Sequence, residues 1–222
     1  MFALAEASYA RDPARLRSDR AVLHANWARL KNRTGRYREA HALATDAIRD
    51  YTAVAGAGSM YEVIVRTTSG ESLLGLGRAS DAKAMLDTAL RYLQALPAPG
   101  AVYRNEVHRM MGQVAISLGD LNGAASQLKT AESLVPQVSP TVRTTSLVQT
   151  LITWGNYEIA RGDTAAAERR YRSALDSARV RDGSGSMMAL RATSELARFE
   201  RARGSHRVAD SLLADSARLA RR

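Results

Sequence analysis

No cysteine occurs anywhere in the 222 residues. That absence removes a disulfide framework, thiol catalysis and thiolate metal sites from consideration, and it leaves the compartment open. Nor does any stretch approach the roughly 20 apolar residues that a membrane span needs. The amino terminus, Met1-Phe-Ala-Leu-Ala-Glu6, lacks both a basic leader and a long apolar run, so it does not read as a secretory signal and a cytoplasmic location is the default expectation. His24, His41, His108 and His206 are scattered without a second ligand type at metal spacing, and no HExxH pattern is present. Each is expected to be a surface or half-buried helix residue, not a ligand. Gly75-Leu-Gly77-Arg-Ala-Ser80 lacks the third glycine of a phosphate loop and follows a helical pattern instead of a strand, and Gly183-Ser-Gly-Ser186 lacks the spacing of a nucleophile elbow. With no constellation of catalytic, cofactor-binding or metal-binding residues, the chain is expected to be non-enzymatic and to carry no cofactor.

What the chain does contain is a repeat. Gly35, Gly77, Gly119, Gly162 and Gly204 follow one another at intervals of 42, 42, 43 and 42 residues. Seven residues before each stands a small residue, Ala28, Gly70, Gly112, Gly155 or Ala197, and five after each stands an alanine, at 40, 82, 124, 167 and 209. Nine after the glycine the chain reads Ala44, Leu86, Leu128, Tyr171 and Leu213, and twelve after it Ala47, Ala89, Ala131, Ala174 and Ser216. A glycine between two helical patterns supplies the left-handed backbone that ends one helix, so each copy is helix, tight turn, helix. Small residues on both sides of the turn mark where the two axes cross closely.

These columns, with Tyr37 two residues past the first turn and the larger Trp27, Met111, Trp154 and Leu196 just before the small column, resemble the tetratricopeptide repeat across all five copies. That repeat is usually about 34 residues long. The surplus of roughly eight residues is about two helical turns, one for each helix, which leaves the buried faces unrotated. The copies therefore resemble the longer, 42-residue variety. The resemblance implies an all-α, right-handed superhelical solenoid of antiparallel helix hairpins, counted as one domain over residues 1–222 because the core of an array is distributed along its length.

Breaks in the pattern place the copies at about 13–57, 58–98, 99–138, 139–182 and 183–222, with 1–12 a remnant of a preceding repeat. Asp12-Pro13 and Ser139-Pro140 are good helix starts, an oxygen cap before a proline at the first helical position. Ser59 with Glu62 forms a capping box, and the second helix of copy three is expected to end before Pro136. Asp182-Gly-Ser-Gly-Ser186 is expected to be the most flexible joint. The last helix should carry Val208, Leu212, Leu213 and Leu219 along one side. Because no polar cap follows, the ends suggest a fragment of a longer protein or surfaces covered by a partner, including a second copy of the chain.

The net charge of +10 invites a nucleic-acid reading, but its distribution argues against one. Residues 58–98 and 99–137 are balanced, while ten basic residues face six acidic ones in 1–57 and eight face four in 183–222. A duplex-binding stripe would run along one face of the array instead of sitting at its ends. Arg169-Arg-Tyr-Arg172 is read as a solvated helix face around a buried Tyr171. Trp27, Trp154 and Met187-Met188 are read as core.

In tetratricopeptide arrays the concave surface is lined by the first helix of each pair. Carried over residue by residue, the inward positions six and ten before each turn glycine are Arg29 and Ala25, Glu71 and Thr67, Gln113 and Arg109, Asn156 and Ile152, Arg198 and Ser194. Family members that clamp a terminal carboxylate use lysine and asparagine there, and the lysine is absent. Arg109, Gln113 and Asn156 are expected to face one another from adjacent copies, able to grip backbone amides or an acidic side chain. The resulting expectation is a protein- or peptide-binding scaffold. The alternative is the sensor or regulatory arm of a larger bacterial signalling protein, linked to a kinase or transcription regulator; the arginine- and alanine-rich composition hints at a high-GC bacterial source.

Overall fold

The computed structural model describes residues 17–97 and 100–219. Its helices are α1 (Arg17–Arg33), α2 (Tyr37–Ala55), α3 (Met60–Gly75), α4 (Ala79–Ala95), α5 (Ala101–Ser117), α6 (Leu121–Leu134), α7 (Pro140–Ala160), α8 (Thr164–Asp182), α9 (Met187–Ala202) and α10 (His206–Leu219), with one 3-10 turn at Val135–Gln137 and no strand among the described residues. The expected remnant over 1–12 and the Asp12-Pro13 start lie outside the described residues.

All five turns are built alike. Gly35, Gly77, Gly119, Gly162 and Gly204 have φ between +73° and +86°, a region closed to side chains with a Cβ except at a cost. At the first turn the Gly35 N–H donates to Asn32 and the Arg36 N–H to Lys31, and the same two bonds recur at each of the other four. This is the Schellman arrangement, which satisfies the orphan carbonyls of the ending helix while reversing the chain. At Asp120 and Asp163 the next helix is capped at once, the carboxylates accepting from the Gly123 and Ala166 amides at 2.8 Å.

Within a hairpin the small column seven before the glycine meets the column nine after it. A Cβ on Gly70 would lie 3.0 Å from Leu86, one on Gly112 2.8 Å from Leu128, and one on Gly155 2.7 Å from the Tyr171 ring. Leu86, Leu128 and Tyr171 are among the most deeply buried side chains in the molecule. Glycine in mid-helix costs about 1 kcal/mol against alanine, and here that cost admits a large side chain to the crossing. In the first hairpin both positions are alanine, Ala28 and Ala44, each fully buried.

Stacking between hairpins gives the curvature. Each first helix touches the first helices of its neighbours, α1 on α3, α3 on α5, α5 on α7 and α7 on α9, whereas no second helix reaches the next second helix. The first helices therefore form the inner wall and the second helices splay outside. Polar keys lock the stack: Asn32 donates to the Thr68 carbonyl at 2.9 Å and accepts from Ser72 at 2.8 Å, and Asn105 donates to Ala131 and Thr150. Asp50, almost fully buried, receives a bidentate Arg20.

Several sequence expectations are corrected. His24 is buried, at 5% exposure. Met187 is 59% exposed at the start of α9, and Val208 and Leu213 are exposed on α10, whose buried residue is Ala209. The expected end of copy three's second helix before Pro136 is met, since α6 stops at Leu134 and Pro136 lies in the 3-10 turn. Arg170 is not simply solvated, as it covers the Trp154 ring at 5.0 Å and pairs with Glu132. No helix among the described residues is long and apolar enough to cross a membrane.

Candidate functional site

The inner wall formed by α1, α3, α5, α7 and α9 is the surface that the repeat presents as a groove. Its centre is α5. Arg109 there is nearly buried and donates to both oxygens of Glu106, at 2.7 and 3.2 Å, and to the Thr153 hydroxyl of α7 at 3.4 Å. Burial works against its charge, but Glu106 beside it and Glu71 from the preceding copy more than offset this, and the guanidinium is held above its ordinary pKa. Glu106 keeps about a third of its side chain open to solvent (37%) although protein surrounds it. Enclosure raises its pKa, and the Arg109 charge and hydrogen bond, with the charges of Arg191 and Arg29, bring it to a net lowering. It is a stable carboxylate on a groove floor.

Gln113, one turn further along α5, accepts from Asn156 of α7 at 3.1 Å, and Asn156 in turn accepts from the Tyr171 hydroxyl at 2.7 Å. The Tyr171 hydroxyl lies deep in the fourth hairpin, and burial pushes its pKa up to about 12. A chain of hydrogen bonds thus runs from the groove surface into the core.

The structure brings Gln113 and Asn156 together and sets Arg109 against Thr153 instead of Asn156. Glu71, exposed on α3, accepts from Asn32 at 3.2 Å. Arg198 is exposed and pairs with Glu195 at 2.6 Å, and Arg29 is exposed on α1. The column ten before the glycine differs from its reading as open lining. Thr67, Arg109 and Ile152 are buried in the wall, Thr67 bonding back to the Val63 carbonyl, and only Ala25 and Ser194 at the two ends retain access. Successive first helices cross at an angle that turns this column into the contact between them. The column thirteen before the glycine, Val22, Ile64, Glu106, Gln149 and Arg191, has access in every copy, as does the column six before it. Transferring only two inward positions from the repeat misses the former, although it lies one helical turn from Arg109 and carries Glu106 and Arg191. No group of three or more acidic or histidine side chains is placed to hold a metal among the described residues.

No protein-family model and no curated protein matches the chain. Among the solved structures similar to it are two of TPR-like repeats of a putative kinesin light chain from Podosopora anserina. One, a variant with a single substitution, superposes with a TM-score of 0.57 and the other with 0.55, each at 16% identity over 93% of this chain and 95% of that one. At that identity the likeness concerns the fold, an all-α, right-handed TPR-like solenoid.

Proposed function

We propose that the chain is a non-enzymatic interaction scaffold that receives a protein or peptide segment along its concave groove. The observation that carries this reading is the alignment of polar side chains from successive hairpins on one inner wall, Arg29, Glu71, Glu106, Gln113, Asn156 and Arg198, where a globular core would have placed apolar ones. An extended segment lying there would meet a mixed surface that offers both donors and acceptors at each repeat. Arg109 belongs to the wall and not to the gripping set, because its guanidinium is already committed to Glu106 and Thr153. The 42-residue variety of the repeat, a bacterial cytoplasmic setting and self-association through the end hairpins complete the reading.

The test uses a segment selected for binding from a displayed peptide library, at one fixed salt concentration because exposed arginines add a screened background. Arg29→Ala with Arg198→Ala should weaken binding about tenfold or more, at roughly 1.4 kcal/mol per factor of ten. Arg169→Ala with Arg181→Ala, on the outer helix α8, should leave it within twofold. The opposite pattern would place the segment on the convex face and end the groove reading.

A further inference from the structure

Arg33 and Met187 are 154 positions apart in the sequence, yet the Arg33 guanidinium donates to the Met187 sulfur at 3.7 Å. One residue ends α1 in the first hairpin and the other begins α9 in the fifth. No helix of the first hairpin packs against a helix of the fifth, so the two ends of the array meet across the groove through side chains alone. On α5, in the middle of the inner wall, Glu106 is bonded to Arg109. The first hairpin contributes Arg29 to the same region and the fifth contributes Arg191, both exposed on the inner wall.

We propose that Glu106 is the counter-charge that holds the array closed, the carboxylate on which cations of the first, third and fifth hairpins converge, with Glu71 of the second hairpin facing Arg109 alone. With Glu106 in place, Arg29 and Arg191 approach from opposite walls at little cost. With it neutralised, the guanidinium groups of Arg29, Arg109 and Arg191 lose the charge they share, and like charges on one wall repel. The charges of both Arg191 and Arg29 act on Glu106, in keeping with that placement. The exposed Arg33 contact with sulfur is weak, so the closed arrangement rests on the charges around Glu106, a balance of the kind that a ligand can shift.

The absence of native cysteine makes Arg33→Cys with Met187→Cys a unique pair for spin labels. The pair alone should show one short distance. Adding Glu106→Gln should move the distribution to longer distances and slow crosslinking by a short bismaleimide about tenfold, equivalent to roughly 1.4 kcal/mol. Removing the repelling cations in that background, by Arg29→Ala with Arg191→Ala, should restore the short distance, which mere damage to α5 would not allow. Salt near 1 M, where the screening length is about 3 Å, should lengthen the distance with Glu106 intact. A distribution unmoved by both Glu106→Gln and salt overturns the proposal, as does a long distance that persists after the two arginines are removed. No ligand enters the measurement, so its outcome is independent of what the groove binds.

Discussion

In the fourth hairpin Gly155 of α7 lies against the Tyr171 ring of α8, and Tyr171 is almost wholly buried. In the fifth hairpin the equivalent pair is Ala197 of α9 and Leu213 of α10, and Leu213 stays 37% exposed, beside an open depression lined by Ser194, Ala197, Arg198 and Leu213. The first hairpin manages with two alanines. The three cases show that the crossing is set by a pair of residues. A large side chain seats fully only when its partner has no Cβ, and one methyl on each side is the other solution. The fourth hairpin is also flanked on both sides, whereas α10 has no described helix beyond it, so the looser crossing and the missing neighbour fall together.

The comparison breaks hardest at Gly155. Gly155→Val should destabilise the protein by about 3 kcal/mol, because the added atoms collide with a ring that has no room to move. Helix propensity alone would favour the change by a few tenths of a kcal/mol, so an unchanged denaturant midpoint would show that the crossing is not what holds this hairpin. Next comes the Tyr171 hydroxyl. Its folded pKa lies above the ordinary tyrosine value, so the neutral form is preferred in the folded state, and the stability this supplies is complete below about pH 10 and lost as pH rises toward 12. The loss across that window should reach about 2 to 3 kcal/mol in the parent and be largely absent in Tyr171→Phe, as read from stability curves at a series of pH values. The alanines five after the turn, Ala124 and Ala167, are fully buried, and leucine at either should cost on the order of 1–3 kcal/mol by chemical denaturation. Smallest is Leu213→Ala, expected to cost below about 1 kcal/mol because little buried surface is lost. Amide exchange should be faster along α10 than along α8. Equal protection of the two helices would mean that the fifth hairpin is as well supported as the fourth.

Much of this was legible in the sequence because the turn imposes its requirement locally. Only glycine suits the left-handed position, and the two bonds that surround it fix which residues flank the crossing, so the columns at minus seven, plus five and plus nine follow from spacing. Pairing Gly155 with Tyr171 required no knowledge beyond the hairpin. The lining of the groove depends instead on how one first helix crosses the next. That angle buries Arg109 and Ile152 and leaves Glu106 and Arg191 accessible, and no periodicity within a single copy contains it. The burial of His24 is a fact of the same kind. Least legible is the approach of Arg33 to Met187, since it accumulates from four successive stacking rotations.

The interval of 43 residues between Gly119 and Gly162 bears on how such a chain can change length. Between the small column and its partner the separation is 16 residues in every copy, from 28 to 44 through 197 to 213. The additional residue lies between Ala131 and Gly155, on the stretch that holds the 3-10 turn at Val135–Gln137. One residue inserted inside a hairpin would rotate everything beyond it by about 100° and turn the buried face outward. Placed at the seam, it is taken up by a local tightening of the backbone. Seams are thus the places where copies could be lengthened, excised or respliced during duplication, while the interior of a hairpin is inherited whole.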